Sequence, residues 1–159
     1  MHNMVIRFLT TFMIMALIST CSKDRSIVDQ SPQNNSGKYI NGNYQSQTVV
    51  DHEGYHALAS VQIVQNCIAV ADWQIYDNNS KRFFDETYEE VYKGIPLYQQ
   101  QCRDNMAGMV TFGPRLIETQ DLNAVDNITG ATWCYKKFKE VMEITLKDAY
   151  RDTTGHKEK

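Results

Sequence analysis

The sequence predicts an α+β fold: an antiparallel sheet, a three-stranded meander or more, covered by helices in a single domain. Three observations lead there. Apolar residues alternate with a period of two through residues 55–64 and 67–76, with a tight turn between the two stretches. From about Asp85 the apolar spacing lengthens to the helical period, and residues 133–150 form a long amphipathic stretch able to cover one face of a sheet. A chain of 159 residues suits one such domain, and its formal net charge of −3 offers no basic face for nucleic acid.

At the N-terminus, residues 1–20 carry one arginine, Arg7, and then an apolar run over residues 8–18 broken by Thr10 and Thr11. The run is too short to span a bilayer, which takes about 20 residues, and matches the apolar region of a secretory signal. Its end, Leu17-Ile18-Ser19-Thr20-Cys21, resembles a bacterial lipobox, with Thr20 where Gly, Ala or Ser is usual. The resemblance implies cleavage before Cys21, lipidation of that cysteine and a cell-membrane or outer-membrane anchor facing away from the cytoplasm. An ordinary secretory signal is the alternative. Residues 21–37 are polar, with Pro32 and paired asparagines, and read as a flexible tether.

The folded part is expected over residues 38–150. Residues 42–50 alternate and are rich in Tyr, Thr and Val, which argues a strand. Asp51-His52-Glu53-Gly54 is a turn signal. In the next strand Tyr55, Ala57, Ala59, Val61 and Ile63 share a face, with Leu58 the apolar exception on the other. Gln65-Asn66 reverses the chain into a third strand, where Ala69, Ala71, Trp73 and Ile75 are expected to share a face. Tyr88, Val91, Tyr92 and Ile95, then Tyr98, Cys102 and Met106, have helical spacing, interrupted by Gly94 and Pro96, so two short helices are expected. Gly108, Gly113 and Pro114 make residues 106–123 read as irregular, with a short extended piece and one turn of helix near Leu116. Phe138, Val141, Met142, Thr145 and Ala149 form the buried stripe of the last helix, and residues 151–159 are a polar tail.

Chemistry-bearing residues are few. The four cysteines, Cys21, Cys67, Cys102 and Cys134, have no C-x-x-C spacing, so neither a zinc site nor a thioredoxin-like motif is supported. Beyond Cys21 they read as small buried or half-buried thiols, with one disulfide among the three as the alternative. His52 and His56 stand four apart but fall across a turn and a strand, so no metal site is expected. Glu86, Glu89 and Glu90 read as a solvated helix face. Asn127-Ile128-Thr129 is a glycosylation sequon that overlaps a more informative stretch. No nucleophile with a base partner can be read off, so the chain itself is not expected to carry a catalytic site.

That stretch is Asp126-Asn127-Ile128-Thr129-Gly130-Ala131-Thr132-Trp133, which runs into the last helix. A helix start leaves unpaired N–H groups and a partial positive charge, which together favour a phosphate. Thr132 falls at that place, Gly130 permits close approach, and Ala131 keeps the surroundings small. Asp126 suits a turn or a metal-positioning carboxylate. By spacing alone the pattern is also what a helix cap looks like.

Asp126-x-x-Thr129-Gly130-Ala131-Thr132 resembles the flavinylation motif of the bacterial FMN-binding domain family, found in subunits of the sodium-translocating NADH:quinone oxidoreductase, in Rnf complexes and in small membrane-anchored immunogen lipoproteins, which the chain most resembles. The likeness runs over residues 38–150: Gly42-Asn43-Tyr44, two strands, the segment bearing Tyr88 and the closing helix fall in the family's order. It implies that a separate flavin transferase moves FMN from FAD onto Thr132 as a phosphoester, with Asp126, Thr129, Gly130 and Ala131 serving recognition and fit. Trp133 is bulkier than is common in the family and is either a stacking partner for the flavin or a core anchor. Cys134 stands where many members have Thr or Ser. The implied function is extracytoplasmic electron transfer by a membrane-anchored flavoprotein. A surface lipoprotein with a binding or adhesion role, holding FMN noncovalently or holding no cofactor, is the alternative.

Overall fold

The structure, a computed structural model, describes residues 38–150. The expected signal peptide, the expected lipidation at Cys21, the expected tether and the polar tail lie outside the described residues. Within them, an antiparallel sheet of four strands in the order β1-β2-β3-β4 is covered on one face by two α-helices.

Strand β1 is Gly42–Gln47, β2 is Tyr55–Val64, β3 is Cys67–Asp77 and β4 is the short Arg82–Phe83. The reversal between β2 and β3 uses Gln65 and Asn66 with φ of 52° and 62°, the left-handed pair that a two-residue hairpin needs to match strand twist. Ala57, Ala59, Val61 and Ile63 of β2 face the core, as their alternation demands.

The pattern breaks in β3. Ala71, Trp73 and Ile75 are buried, but Ala69 is exposed and Ile68 takes the core position. The register explains the exchange: Gln62 pairs with Val70 while the adjacent Ile63 pairs with Ile68, so Ala69 is bulged out and the alternation inverts beyond it.

Thr48 extends the β1–β2 ladder one step past its last backbone pair. Its N–H donates to the Ala57 carbonyl at 2.9 Å, and its hydroxyl, not its carbonyl, accepts from the Ala57 N–H at 2.9 Å. Both residues are buried. Thr48→Val keeps the shape and strands the Ala57 N–H, so urea unfolding is expected to report a loss of about 1–3 kcal/mol.

A 3-10 turn, Tyr88–Tyr92, precedes the first long helix, α1, Pro96–Thr119. The expected break falls where Gly94 takes φ of 86° and Pro96 opens the helix. From Pro96 onward the chain forms one helix of 24 residues, which replaces the expected short helix and irregular stretch. Gly108 and Gly113 serve close packing and are not breakers here. A Cβ on Gly108 would meet Cys134 Sγ at 2.7 Å, and one on Gly113 would meet the Ala71 carbonyl oxygen at 2.4 Å. Pro114 is exposed beside Val110, the residue whose carbonyl loses its helical donor, and Val110 is 67% exposed, so water can satisfy that oxygen.

Helix α1 also closes the free edge of β3. The Trp73 indole N–H donates to the Met109 carbonyl at 3.1 Å. Gln120, which caps α1 with φ of 57°, accepts from the Ile68 N–H at 2.7 Å and donates to the Ile68 carbonyl at 2.9 Å.

After a short 3-10 turn, Leu122–Ala124, the chain reaches α2, Thr132–Lys147. Phe138, Val141, Met142, Thr145 and, just beyond the helix, Ala149 are buried as their stripe predicts. Helix α2 packs on β1 and β2, and α1 packs on β3. Trp73 sits against both: its ring lies 5.2 Å from Phe138 and 6.4 Å from Phe112, and those two rings are 5.4 Å apart. No helix among the described residues is long and apolar enough to cross a membrane.

Candidate functional site

Residues 126–131 enter α2 as an open loop. Val125 is buried and pins its near end, and the Ala131 N–H donates to the Ile128 carbonyl at 2.9 Å to make the last turn. Gly130 has φ of 85°, and a Cβ there would lie 2.6 Å from Asp104 Oδ2 of α1. Backbone conformation and space therefore both require glycine at this position. Ala131 is fully buried, and the ideal Cβ position of Gly108 lies only 2.9 Å from its methyl, so the two helices meet at small residues just beneath the loop.

Thr132 is the first residue of α2 and is exposed. Its hydroxyl oxygen accepts from the Asn127 side-chain amide at 3.1 Å. Ala131, at the cap position, has no side-chain bond to the helix. Asn105 of α1 supplies one instead: its Oδ1 accepts from the Cys134 N–H at 3.1 Å. The N–H groups of Thr132 and Trp133 have no acceptor among the described residues. Thr129 and Asp126 are exposed on the loop. Asp126 forms no turn: the turn-forming carboxylate is Asp121, which accepts from the Asn123 N–H at 3.1 Å.

Cys134 is no second nucleophile. It is fully buried, its thiol donates towards the Asn105 and Ala131 carbonyls, and burial pushes its pKa up to about 12. Cys102 is likewise buried, and burial followed by the Glu89 charge raises its pKa. Both stay protonated at neutral pH and react poorly.

Thr132 and Gly130 belong to the wall of a cavity of about 680 Å³ that is also lined by Tyr55, Phe84, Tyr88, Tyr92, Tyr98 and Trp133, of which Phe84 and Tyr88 are buried. The rings form a continuous series. Tyr98 lies 5.3 Å from Tyr92, Tyr92 is 6.4 Å from Tyr88, and Tyr88 is 4.6 Å from Phe84. Phe84 is 5.4 Å from Trp133, whose edge meets Tyr55 at 5.1 Å with the planes at 82°. Trp133 is thus half-buried between core and cavity.

Trp133 of α2 is joined by rings from four other parts of the chain. Tyr55 opens β2, Phe84 follows β4, Tyr88 and Tyr92 lie on the 3-10 turn, and Tyr98 is in the first turn of α1. Asp51 links the start of β2 to α2, because its Oδ1 accepts from the Tyr55 N–H at 2.8 Å while Lys137 of α2 pairs with its Oδ2.

Sequence reasoning placed Thr132, Gly130, Ala131 and Trp133 together but missed the aromatic wall and Asn105. The available signal was the density of tyrosine, nine in the chain, with Tyr88, Tyr92 and Tyr98 close together. A second concavity, of about 660 Å³, lies on the other face of the sheet along Gln45, Ser60 and Asp72. It holds no histidine, cysteine or aromatic cluster comparable to the first.

No protein-family model and no curated protein matches the chain. Two solved structures resemble it. A crystal structure of a protein from Clostridium perfringens is 27% identical, covering 70% of this chain and 88% of that one with a TM-score of 0.52. A solution structure of a protein from Clostridium thermocellum is 19% identical, covering 75% of this chain and 98% of that one with a TM-score of 0.41. The first supports the fold; the second is too distant in geometry to carry an argument.

Proposed function

We propose that the chain carries FMN as a phosphoester on Thr132 and serves as an electron carrier, tethered to a membrane through a lipid on Cys21 and working outside the cytoplasm. The observation that carries this reading is the exposed Thr132 hydroxyl at the start of α2, in the wall of a cavity faced by six aromatic side chains. The residues fit the group at both ends. The unpaired N–H groups of Thr132 and Trp133, at the positive end of α2, suit a phosphate, and the rings suit a flat conjugated ligand.

When bound, the flavin supplies one- or two-electron transfer. The rest is done by the chain. Asn127 holds the Thr132 oxygen through its amide and leaves the hydroxyl proton free to go to an outside base. Gly130 lets the loop lie against Asp104, and Ala131 buries itself against Gly108, so the hydroxyl is held on a fixed helix end. Asp126 and Thr129 stay exposed where a transferase can read them.

A threonine hydroxyl is a weak nucleophile, and its side-chain neighbour is an amide, not a base. Attachment therefore falls to a flavin transferase acting on FAD. The Thr132 oxygen forms the new P–O bond as the pyrophosphate bond of FAD breaks, AMP leaves, and the hydroxyl proton passes to a base on the transferase.

Co-expression with such a transferase, followed by denaturing electrophoresis, is expected to give a band fluorescent with flavin, and Thr132→Ala is expected to make it dark. A dark wild-type band, or a fluorescent Thr132→Ala band, would sink covalent attachment at this residue. Yellow protein that loses its colour on denaturation would identify noncovalent binding.

A further inference from the structure

Beyond the ring wall, the cavity borders one directional hydrogen-bond chain. Tyr55 Oη lies 3.0 Å from Tyr88 Oη, and Tyr88 Oη lies 2.6 Å from Asp77 Oδ2. Asp77, at the end of β3, is 4% exposed, and donors converge on its carboxyl. The Asn79 N–H reaches Oδ1 at 2.8 Å, the Ser80 N–H reaches Oδ1 at 3.3 Å, and the Ser80 hydroxyl binds Oδ2. A carboxyl group surrounded by donors is a carboxylate, and a carboxylate only accepts. Burial opposes that charge, but the hydrogen bonds from Ser80, Tyr88 and the two amides outweigh it and hold the pKa of Asp77 below its ordinary value.

These acceptors fix the direction of every bond in the chain. Tyr88 must donate to Asp77, so its oxygen accepts in the pair with Tyr55, and Tyr55 must donate to Tyr88. With its one proton committed, Tyr55 has only lone pairs left to offer. Asn105, which also lines the cavity, is engaged as well: it accepts from the Cys134 N–H and donates to the Gln101 carbonyl at 2.8 Å.

We infer that Tyr55 is the specificity-determining residue of the aromatic cavity: the Tyr55–Tyr88–Asp77 chain turns its hydroxyl into an obligate acceptor, which selects a planar ring ligand bearing an N–H on its edge. The inference rests on the proposed flavin reading and deepens it. The unsubstituted uracil-like edge of an isoalloxazine carries such an N–H, and the same ring methylated at that nitrogen does not. A ligand lacking the donor leaves a partly buried acceptor unsatisfied, and this is the source of the discrimination.

The test uses the full chain without flavin, produced in a host lacking the transferase, and titrates it with lumiflavin and with N3-methyl-lumiflavin while following quenching of ligand fluorescence. Lumiflavin is expected to bind about tenfold more tightly. In Tyr55→Phe that ratio is expected to collapse towards one, because any purely steric effect of the methyl group survives the substitution while the hydrogen bond does not. Tyr88→Phe is a second variant that keeps Tyr55 and breaks the chain behind it. Tyr55 is then free to donate as well as accept, and the preference is expected to fall. Circular dichroism checks that both variants remain folded. Equal binding of the two ligands by the wild type, or an undiminished preference in Tyr55→Phe, would overturn the inference while leaving flavin binding intact. Failure of the wild type to bind either ligand would overturn it together with the cavity's role as a flavin site, whereas the fluorescent band at Thr132 tests attachment separately.

Discussion

Phe138→Ala is expected to cost about 3–5 kcal/mol, the largest effect of any substitution considered for this protein. Phe138 is fully buried on the inner face of α2, with Trp73 of β3 at 5.2 Å and Phe112 of α1 at 5.4 Å. It is the point where sheet and both helices meet. Truncation removes the transfer free energy of the ring and also leaves a void, because Trp73 cannot follow: its indole is tied to the Met109 carbonyl at 3.1 Å. Small domains hold a margin of about 5–15 kcal/mol, so this one change consumes a large share of it. Equilibrium urea unfolding checks it, with the midpoint falling and the slope unchanged if the native state stays compact. A midpoint shift worth under about 1 kcal/mol would mean that the three rings do not pack as described.

Gly113→Ala sets two effects against each other. Alanine in place of glycine inside a helix gains about 1 kcal/mol from reduced backbone entropy in the unfolded chain. Here the new methyl carbon would stand 2.4 Å from the Ala71 carbonyl oxygen, and that oxygen belongs to the sheet backbone, so no flexible side chain can move aside. Relief requires α1 to back away from β3, which would loosen Phe112 and strain the Trp73 to Met109 bond. Overpacking of this kind costs about 1–3 kcal/mol and exceeds the propensity gain, so the net effect is a destabilisation. A thermal midpoint higher than wild type would show that the helix can shift freely over the strand.

Much of this architecture could be read from residue order alone, and the places where it could not share a physical cause. The alternation in β2 and the stripe Phe138, Val141, Met142 and Thr145 were legible because each depends only on the local period of its own element. Ala69 was expected on the core face and is exposed because a bulge is a property of two paired strands, and nothing near Ala69 announces which residue will be left out. Gly113 and Pro114 resemble helix breakers locally, yet one is required by contact with β3 and the other is solvated. Both reasons lie in tertiary structure.

The candidate site divides the same way. The loop carrying Gly130, Ala131 and Thr132 is contiguous and could be seen in the sequence. The aromatic wall gathers Tyr55, Phe84, Tyr88, Tyr92 and Tyr98 from four separate parts of the chain, and in the sequence each passes for an ordinary core residue.

Gln120 has a consequence for how copies of this protein meet. The outer edge of β3 turns the N–H and carbonyl of Ile68 away from β2, and such an unpaired edge is a template on which a neighbouring chain can add a strand. A primary amide reproduces the donor and acceptor of one peptide unit. By accepting at 2.7 Å and donating at 2.9 Å, the Gln120 side chain stands in for the missing strand at that position. Because Gln120 is also the left-handed cap that ends α1, the stop of the helix and the closure of the sheet are one event. Two molecules brought edge to edge there find the Ile68 peptide groups already occupied, so this piece of the surface resists growth into a shared sheet without needing a charge or a proline to repel it.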